Sequence, residues 1–320
     1  MKKMRNNGKI VLIGCGQVGN SFLYSAINQG LSNQYVLMDF FKDIAEGNAL
    51  DLLDTQAGLP IPFSTIKASD DFNDCKDAEI IVITAGRPQK KGETRLEMVL
   101  DNAKIMKNIA ENIKKSGFHG VTIIASNPVD ILTNVYLKVT NFDKHKVIGS
   151  GTTLDTSRLR RLIAEKFDVS PKSVHAYLMG EHGDSSVAIW SSSSIMGKNF
   201  DTIISEGKIT KKELDAIVKE AEQMAYTIIN KKGSTSFGIG VYLTQIARAV
   251  LDDFNEILMV GCLLNGEYDQ HDIVTGVPAI ISKNGWERII EWHLNEDEIS
   301  KFDASCRVLK KSWDEVKDKI

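Results

Sequence analysis

Three residues in the second half of the chain carry side chains that together suit the chemistry of a small carbonyl acid. Asp155 and Arg158 are three positions apart, so both would lie on one face of a helix, and His182 must reach them from another element. A carboxylate can orient an imidazole, the imidazole can exchange a proton with a carbonyl or hydroxyl oxygen, and a guanidinium can hold a carboxylate. The three residues therefore predict the proton transfer that accompanies a hydride transfer to or from such an acid. Taken alone, they are more typical of a surface ion pair and a loop histidine.

The N-terminal segment decides between these interpretations, because it has the pattern of a dinucleotide-binding turn. An apolar run at residues 9–13 is followed by Gly14, Gly16 and Gly19 in G-x-G-x-x-G spacing, and then by a helical pattern. Glycines permit a tight turn and the close approach of a pyrophosphate to the helix N-terminus. A second apolar run ends at Asp39, where a carboxylate can bind the ribose hydroxyls and repel a 2′-phosphate. The pattern predicts NAD rather than NADP.

Composition and charge narrow the class of protein. The 320 residues suffice for two domains, and 39 Lys and Arg against 42 Asp and Glu give a formal net charge of −3. This balance indicates neither nucleic acid nor an anionic membrane as a partner. The scattered cysteines predict reduced thiols and no metal site: Cys15, Cys75, Cys262 and Cys306. We expect a cytoplasmic protein, since the start lacks a signal-peptide pattern and no stretch approaches ~20 apolar residues.

The first half of the chain alternates between strand-like and helix-like segments. Further apolar strands are predicted at residues 79–84, 121–125 and 147–148, and helices at 43–55 and 96–116. Apolar strands separated by helices are typical of a parallel sheet covered on both faces. We predict an α/β fold in which residues 1–149 form an NAD-binding, Rossmann-type, doubly wound parallel sheet.

The second half has a different pattern, with mixed strands and longer helices. Helices are predicted at residues 152–167, 211–230 and 240–252, and strands within 174–189 and 257–281. Near the C-terminus a helical stripe of apolar residues predicts a docking face: Ile299, Phe302, Cys306, Leu309, Trp313, Val316 and Ile320. Residues 150–320 are therefore predicted to form a mixed α+β catalytic domain.

Several motifs, in order and approximate spacing, resemble those of the bacterial L-lactate dehydrogenases in the lactate/malate dehydrogenase family. They are the glycine turn with Asp39 and residues 85–95, 126–130, 149–158, 180–184 and 233–235. The resemblance covers nearly the whole chain and is far more specific than the glycine turn alone. It implies an NAD-dependent enzyme of fermentation and glycolysis that transfers hydride between NADH and pyruvate, giving L-lactate and NAD.

The resemblance also implies roles for individual residues. His182 would be the proton donor and acceptor, with Asp155 as its partner. Arg158 would anchor the substrate carboxylate, and Arg95 would polarise the reacting carbonyl from a mobile loop. The substrate pocket would contain Gln89, Arg95, Asn127, Arg158 and Thr235. The cofactor would contact Gly14, Gly16, Gln17, Val18, Gly19, Asp39, Ala85, Gly86, Asn127 and Ile239, the last of these pressing on the nicotinamide.

Within this family resemblance, Gln89 is the residue that distinguishes lactate dehydrogenases from malate dehydrogenases. Similar malate dehydrogenases carry arginine at the position six before the loop arginine, where it reads the side group of the substrate. A neutral Gln89 suits the methyl group of pyruvate, because a second, unpaired carboxylate in a closed site costs on the order of several kcal/mol. Two alternatives stay open. Lys90 or Lys91 could reach that carboxylate, and a wider pocket would admit a branched 2-oxo acid.

Arg160 and His175 resemble the pair that binds fructose 1,6-bisphosphate at a subunit interface in bacterial L-lactate dehydrogenases. Arg160 follows Arg158 by two positions and so points elsewhere on the helix. Across a twofold axis, two copies of each residue would provide four donors for two phosphates. We therefore expect a homotetramer that this sugar bisphosphate activates. The alternative is an exposed arginine and an ordinary strand histidine.

A protein of a different class could also be built on this fold. A non-catalytic NAD-binding sensor would share the glycine turn, because a fold alone does not determine function. Turnover of NADH separates the two classes, since a sensor would bind the dinucleotide without consuming it.

Overall fold

The apolar runs of the first half form six parallel strands that alternate with helices. The structure is a computed structural model that describes residues 8–87 and 95–320, with the side chain of Arg95 excluded. The strands are β1 (Lys9–Ile13), β2 (Gln34–Met38), β3 (Thr65–Ala68), β4 (Ala78–Ile83), β5 (Val121–Ile124) and β6 (Val147–Gly149). The helices are α1 (Gln17–Asn28), α2 (Lys42–Leu53), α3 (Arg95–Ser116) and α4 (Val129–Thr140).

The order of these strands places the predicted nucleotide turn at a ligand-binding position. The order is β3-β2-β1-β4-β5-β6, which is that of a doubly wound dinucleotide-binding sheet and confirms the predicted fold class. The order reverses between β1 and β4, so a crevice opens at the carboxyl ends of these strands. Both Thr84 and Ala85, just after β4, donate main-chain hydrogen bonds to Ile13 at the end of β1. The glycine turn therefore begins at this crevice.

The second half combines short strands, a long antiparallel hairpin and five helices within the described residues. The strands are β7 (Val174–His175), β8 (Leu178–Met179), β9 (Val187–Ala188), β10 (Ser194–Ile195), β11 (Lys198–Asn199), β12 (Glu256–Asn265), β13 (His271–Ser282) and β14 (Gly285–Ile289). The helices are α5 (Thr153–Phe167), α6 (Phe200–Ser205), α7 (Lys211–Lys232), α8 (Phe237–Leu251) and α9 (Glu296–Asp314). None of the helices in the described ranges is both long and apolar enough to cross a membrane.

One nine-stranded sheet runs through both halves of the chain. Strand β12 pairs antiparallel with β6 at a single point, where Gly261 faces Gly149, and β13 and β14 continue the sheet outward. An ideal Cβ on Gly261 would lie 3.1 Å from Gly149 Cα, so two glycines suit this close approach. Because the sheet is continuous across residue 149, the division into domains at that residue stays a prediction.

Some elements differ from the sequence-based predictions. The edge strands β3 and β14 were not predicted. Strand β3 is only four residues long and has one buried side chain, that of Ile66, so it lacks a continuous apolar run. The C-terminal stripe buries Phe302, Cys306 and Leu309 as predicted, but Ile299 is 47% exposed. Helix α9 ends at Asp314, so the last two stripe positions lie beyond the helix.

A separate buried cluster holds α5, the helix that carries Asp155 and Arg158. Apolar side chains on α5, led by Leu159 and Ile163, pack with Phe200 of α6 and Leu214 of α7. Residues at helical spacing thus point one face of α5 into this core. The start of the helix, with its charged pair, faces the sheet and the hairpin instead, since Thr153 Oγ1 donates to Met259 O of β12.

Candidate active site

The side chains of Asp155, Arg158 and His182 form one cluster at the start of α5. His182 Nδ1 lies 2.6 Å from Asp155 Oδ2, and Arg158 Nη1 donates to Asp155 Oδ1 at 3.1 Å. The side chains of Arg158 and Asp155 are 8% and 11% exposed, whereas that of His182 is 24% exposed. The imidazole is therefore the most accessible member of the cluster and can meet a substrate.

Electrostatics in this cluster favour an imidazolium beside a carboxylate. The charge of Asp155, helped by its hydrogen bond, raises the pKa of His182 to about 9, although burial acts in the opposite direction. Burial alone would raise the pKa of Asp155, but the charge and hydrogen bond of His182 and the charge of Arg158 hold that pKa below its ordinary value. At neutral pH His182 is thus charged and can donate a proton from Nε2.

The main chain of the loop that carries His182 is held by hydrogen bonds to three other elements. Gly180, with φ of +95°, forms a bridge with Gly276 of β13, and the next main-chain N–H donates to Ser305 Oγ of α9 at 2.8 Å. The N–H of His182 itself donates to Asp130 Oδ2 of α4 at 2.9 Å. An ideal Cβ on Gly180 would lie 2.6 Å from Ser305 Oγ, so a side chain there would displace this contact.

Arg158 and Thr235, two of the predicted substrate-binding residues, line the same cavity. The cavity has a volume of about 300 Å³ and is enclosed by α5, α7 and α8, with Leu154 and Met224 on its apolar wall. Arginine has five N–H donors, and the structure shows one of those of Arg158 on Asp155. The remaining donors suit a carboxylate in this cavity.

Asn127 and Ile239 lie on the elements that flank the loop of His182 and the cavity. Asn127 is exposed at the carboxyl end of β5, where its main-chain carbonyl accepts a hydrogen bond from Asn102 Nδ2 at 2.9 Å. Three residues later Asp130 accepts a hydrogen bond from the main-chain N–H of His182, so this turn lies beside the loop of His182. Ile239 is half-buried in the first turn of α8, which begins two residues after Thr235.

The glycine turn has the shape that a bound pyrophosphate needs. An ideal Cβ on Gly14, where φ is +103°, would lie 2.4 Å from Ala85 N, and one on Gly19 would lie 2.1 Å from Gly14 O. Both positions therefore need glycine for the protein's own packing. At Gly16 an ideal Cβ would meet no described atom within 4 Å. Glycine at this position leaves open the surface at the N-terminus of α1, which begins with Gln17 and Val18.

Asp39 links the ends of the first two strands at this crevice. Its carboxylate accepts hydrogen bonds from Cys15 N at 2.7 Å and from Phe41 N at 3.0 Å. A carboxylate offers about four acceptor positions, so ribose hydroxyls can still bind. With Ala85 and Gly86 on the opposite wall, the residues present fit a dinucleotide.

Family models match almost the whole chain. Residues 8–149 match the NAD binding domain of lactate/malate dehydrogenase, and residues 152–320 match its alpha/beta C-terminal domain. The chain belongs to the lactate/malate dehydrogenase family. Membership confirms the predicted enzyme class, an NAD-dependent oxidoreductase, and the predicted cofactor.

Individual relatives in this family are similar along their full length. An L-lactate dehydrogenase of Mycoplasma mycoides subsp. mycoides is 61% identical over 317 residues, which is 99% of each chain. One from Mesoplasma florum is 56% identical over 320 residues, 100% of both. The crystal structure of minor L-lactate dehydrogenase from Enterococcus mundtii in the ligands-bound form has a TM-score of 0.95 and 41% identity, covering 97% of this chain and 99% of that one. The predicted resemblance is confirmed.

Part of the predicted family site lies at the gap in the described residues. Gln89 falls within residues 88–94, outside the described residues, and only the main chain of Arg95 is described, at the start of α3. Just before the gap, Arg87 Nη2 lies 2.6 Å from Asp101 Oδ2 of α3. The roles of Gln89 and Arg95 therefore stay predictions.

The predicted effector residues lie on adjacent segments. Arg160 Nε donates to Ala176 O at 3.0 Å, and its guanidinium lies 4.7 Å from the centre of the Tyr177 ring. His175, the residue before Ala176, is exposed at the end of β7. The arginine is restrained by these contacts, and the histidine faces solvent.

Two residues at this site were not predicted from the sequence. Asp130 lies within a quoted motif but received no role, and Ser305 is a small polar residue inside the apolar stripe of α9. A signal was available for Asp130, because it is a carboxylate near the start of a helical segment that is rich in apolar residues, such as Ile131, Leu132 and Val135. An ionisable group on such a buried helix needs a polar partner.

Proposed function

We propose that the protein catalyses reversible hydride transfer between NADH and pyruvate, giving L-lactate and NAD. The observation that carries the proposal is the cluster in which His182 Nδ1 lies 2.6 Å from Asp155 Oδ2, with Arg158 beside it on α5. Relatives that are 56–61% identical over nearly the whole chain are L-lactate dehydrogenases, which supports the same substrate.

The geometry of the cluster suits this reaction in both directions. When bound, NADH supplies the hydride that adds to the carbonyl carbon of pyruvate. His182 donates its Nε2 proton to the carbonyl oxygen, so proton and hydride together complete the alcohol. Asp155 stays ionised and holds the ring, while Arg158 binds the carboxylate with its remaining donors. In lactate oxidation the neutral imidazole takes the hydroxyl proton.

The other predicted residues complete this proposal. Asn127 and Thr235 would contact the substrate, and Arg95 would polarise its carbonyl. Gln89 would face the methyl group, and Ile239 would press on the nicotinamide. The cavity shared by Thr235 and Arg158 supports the placement of the carboxylate end of the substrate.

An absorbance assay of NADH consumption tests the proposal directly. We expect kcat/KM to be higher for pyruvate than for oxaloacetate or for a branched 2-oxo acid. The highest value for oxaloacetate would instead indicate a malate dehydrogenase, and the highest value for the branched acid a branched 2-hydroxy acid dehydrogenase. Binding of NADH without consumption of any of the three acids would indicate a sensor.

Asp155→Asn should make pyruvate reduction sensitive to pH near neutrality. Because the pKa of His182 is about 9, we expect wild-type reduction to be steady through neutral pH and to fall above about pH 9, while lactate oxidation rises there. Asparagine removes the charge that chiefly raises that pKa, so the falling limb should move to lower pH by about one to three pH units. Profiles of kcat/KM against pH measure this movement.

Asp168→Asn is the matched control for this variant. Asp168 is exposed at the other end of the same helix, in a left-handed conformation that asparagine also adopts. We expect the control to reproduce the wild-type profile. If Asp155→Asn also reproduces it, Asp155 does not set the protonation state of His182.

We also propose that fructose 1,6-bisphosphate activates the enzyme through Arg160 and His175. Arg160 and the anchor Arg158 lie on the same helix, so an anion that draws on Arg160 can bias the position of α5. The contacts of Arg160 with Ala176 and Tyr177 would transmit that bias to the segment of His175.

Pyruvate saturation curves with and without the sugar bisphosphate test this regulation. The effector should lower the pyruvate concentration needed for half-maximal rate by about 5- to 100-fold, the usual range of such coupling, and most strongly below neutral pH. The response should be lost in Arg160→Gln and His175→Gln but kept in Lys172→Gln, which removes one exposed cation nearby. Superimposable wild-type curves would contradict the proposal.

A homotetramer in the cytoplasm is the proposed assembly and location. Several helices carry large apolar side chains that are 43% to 75% exposed and would be available for contacts between subunits: Tyr24, Ile44, Leu50, Tyr226, Ile229, Phe237 and Val241. The four cysteines are buried free thiols, as a reducing compartment favours. Sedimentation with and without fructose 1,6-bisphosphate measures the assembly.

A further inference from the structure

Asp130 is a buried carboxyl group that touches the catalytic loop but takes no part in the proposed reaction. It lies in the first turn of α4 and is 2% exposed. Its Oδ2 accepts a hydrogen bond from the main-chain N–H of His182 at 2.9 Å. Its Oδ1 is buried and has no hydrogen-bond partner among the described residues. A buried carboxyl group with one unpartnered oxygen is costly, so its presence calls for a role.

The position of Asp130 joins two parts of the candidate site that come from distant parts of the chain. Helix α4 follows the turn that carries Asn127, at the carboxyl end of β5. The hydrogen bond to His182 spans 52 positions and fixes that turn against the catalytic loop. The contact therefore helps to set the distance between Asn127, which is predicted to bind both substrate and cofactor, and His182, which is predicted to donate the proton.

The charges around Asp130 are unusual for a structural carboxylate. Burial raises its pKa to about 7, while the N–H and the positive charge of His182 act in the opposite direction. The negative charges of Glu181, in the same loop, and of Asp155, on α5, act in the same direction as burial, and the pKa of about 7 is the net result. On α9, the charge of Asp130 helps to raise the pKa of the Cys306 thiol, after burial as the largest cause. As the pH rises, Asp130 therefore loses its proton before the imidazolium of His182 does.

We propose that Asp130 is a positioning residue for His182, which holds the main chain of the catalytic loop against the Asn127 turn and adds a second negative charge beside the imidazolium. This inference rests on the proposed function, because it assigns to His182 the transfer of a proton. Oδ2 can accept the amide hydrogen bond in either protonation state of the carboxyl group. The bond therefore persists across neutral pH, whereas the charge develops as the pH rises.

Two variants separate the hydrogen bond from the charge. Asp130→Ala removes both, and Asp130→Asn keeps an acceptor for the amide of His182 but carries no charge. Because small displacements of a catalytic group can cost up to about 100-fold in rate, we expect Asp130→Ala to lower kcat by about 10- to 100-fold with little change in NADH affinity. Asp130→Asn should recover most of that loss at pH 6 to 7. In both variants the high-pH limb of pyruvate reduction should move to lower pH, because the imidazolium loses one stabilising charge.

Carbethoxylation by diethyl pyrocarbonate gives a readout that does not depend on turnover. The reagent attacks neutral imidazole, so the rate for His182, obtained by subtracting the rate of His182→Gln, follows the deprotonation of that ring. The pH at which this rate is half-maximal should be lower in both Asp130 variants than in the wild type. If the wild type reduces no 2-oxo acid, the proposed function fails while this measurement still tests the placement of Asp130.

Asp143→Ala is the matched control. Asp143 Oδ1 also accepts a hydrogen bond from a histidine main-chain N–H, that of His145 at 3.0 Å, but it is exposed and lies outside the candidate site. Wild-type activity and pH profile are expected for this control. The proposal is overturned if Asp130→Ala keeps kcat within about twofold of the wild type, or if Asp130→Asn loses as much activity as Asp130→Ala. It is also overturned if the carbethoxylation midpoint stays at the wild-type pH in both variants.

Discussion

His182→Ala is expected to lower the turnover of pyruvate reduction by about 10²- to 10⁴-fold, the usual contribution of a general acid. Its imidazole is the most accessible member of the cluster with Asp155 and Arg158, and its Nδ1 lies within hydrogen-bond distance of that carboxylate. NADH affinity should stay near the wild-type value, because the glycine turn and Asp39 lie in the first half of the chain. Steady-state kinetics and fluorescence titration with NADH measure the two effects separately.

His119→Ala is the matched control, since His119 is exposed and lies outside the cluster.

The pH dependence of protein stability provides a second check on His182. Because folding raises the pKa of His182 from 6.5 to about 9, its protonation stabilises the folded protein fully below pH 6.5, and this contribution is lost as the pH rises through about 9. The free energy of unfolding should therefore differ most between wild type and His182→Ala at acid pH. Equal loss of NADH affinity and turnover would contradict the assigned division of roles.

The parallel part of the fold could be predicted because its strands are continuous apolar runs. Four of the five residues in each of β1 and β2 are buried, and helix α1 between them buries apolar residues at helical spacing. Edge strands lack this signal, so β3 and β14 were missed. The attachment of the hairpin to β6 could not be predicted either, because it depends on a single pairing of Gly149 with Gly261, far apart in sequence.

The candidate site was predictable where its geometry is local. Asp155 and Arg158 lie on one helix, so their spacing alone predicts the contact that the structure shows at 3.1 Å. The contact of Asp155 with His182 depends instead on a loop tied down by Gly276, Ser305 and Asp130. The residue types suggested that contact only on the condition that His182 reaches the helix from another element, and the resemblance to a family implied that it does. The supporting residues received no role, because their contacts with the loop span many positions and an acid in the first turn of a helix is also an ordinary helix-start residue.

Gln89→Arg is expected to raise the preference for oxaloacetate over pyruvate, expressed as the ratio of kcat/KM values, by about 10²- to 10³-fold. The new guanidinium would pair with the second carboxylate of oxaloacetate, whereas with pyruvate it would face a methyl group without a partner. Together these two effects correspond to about 3 to 4 kcal/mol. Gln89 lies outside the described residues, so this prediction rests on its position in the family motif and on the neutral charge of its side chain. Parallel assays with the two acids at one NADH concentration measure the ratio.

Gln89→Leu provides the matched control, because it changes the side chain without adding a charge. Its ratio should stay close to that of the wild type, so that only the guanidinium moves the preference. Lys90→Gln and Lys91→Gln in the wild-type background test the neighbouring cations, since a lysine that already reaches the second carboxylate would make either substitution lower oxaloacetate reduction. An unchanged ratio in Gln89→Arg, together with a fall in Lys90→Gln or Lys91→Gln, would assign discrimination to the lysine. Because arginine pairs a carboxylate through two hydrogen bonds and lysine through a point charge, we expect Gln89→Arg to have the larger effect.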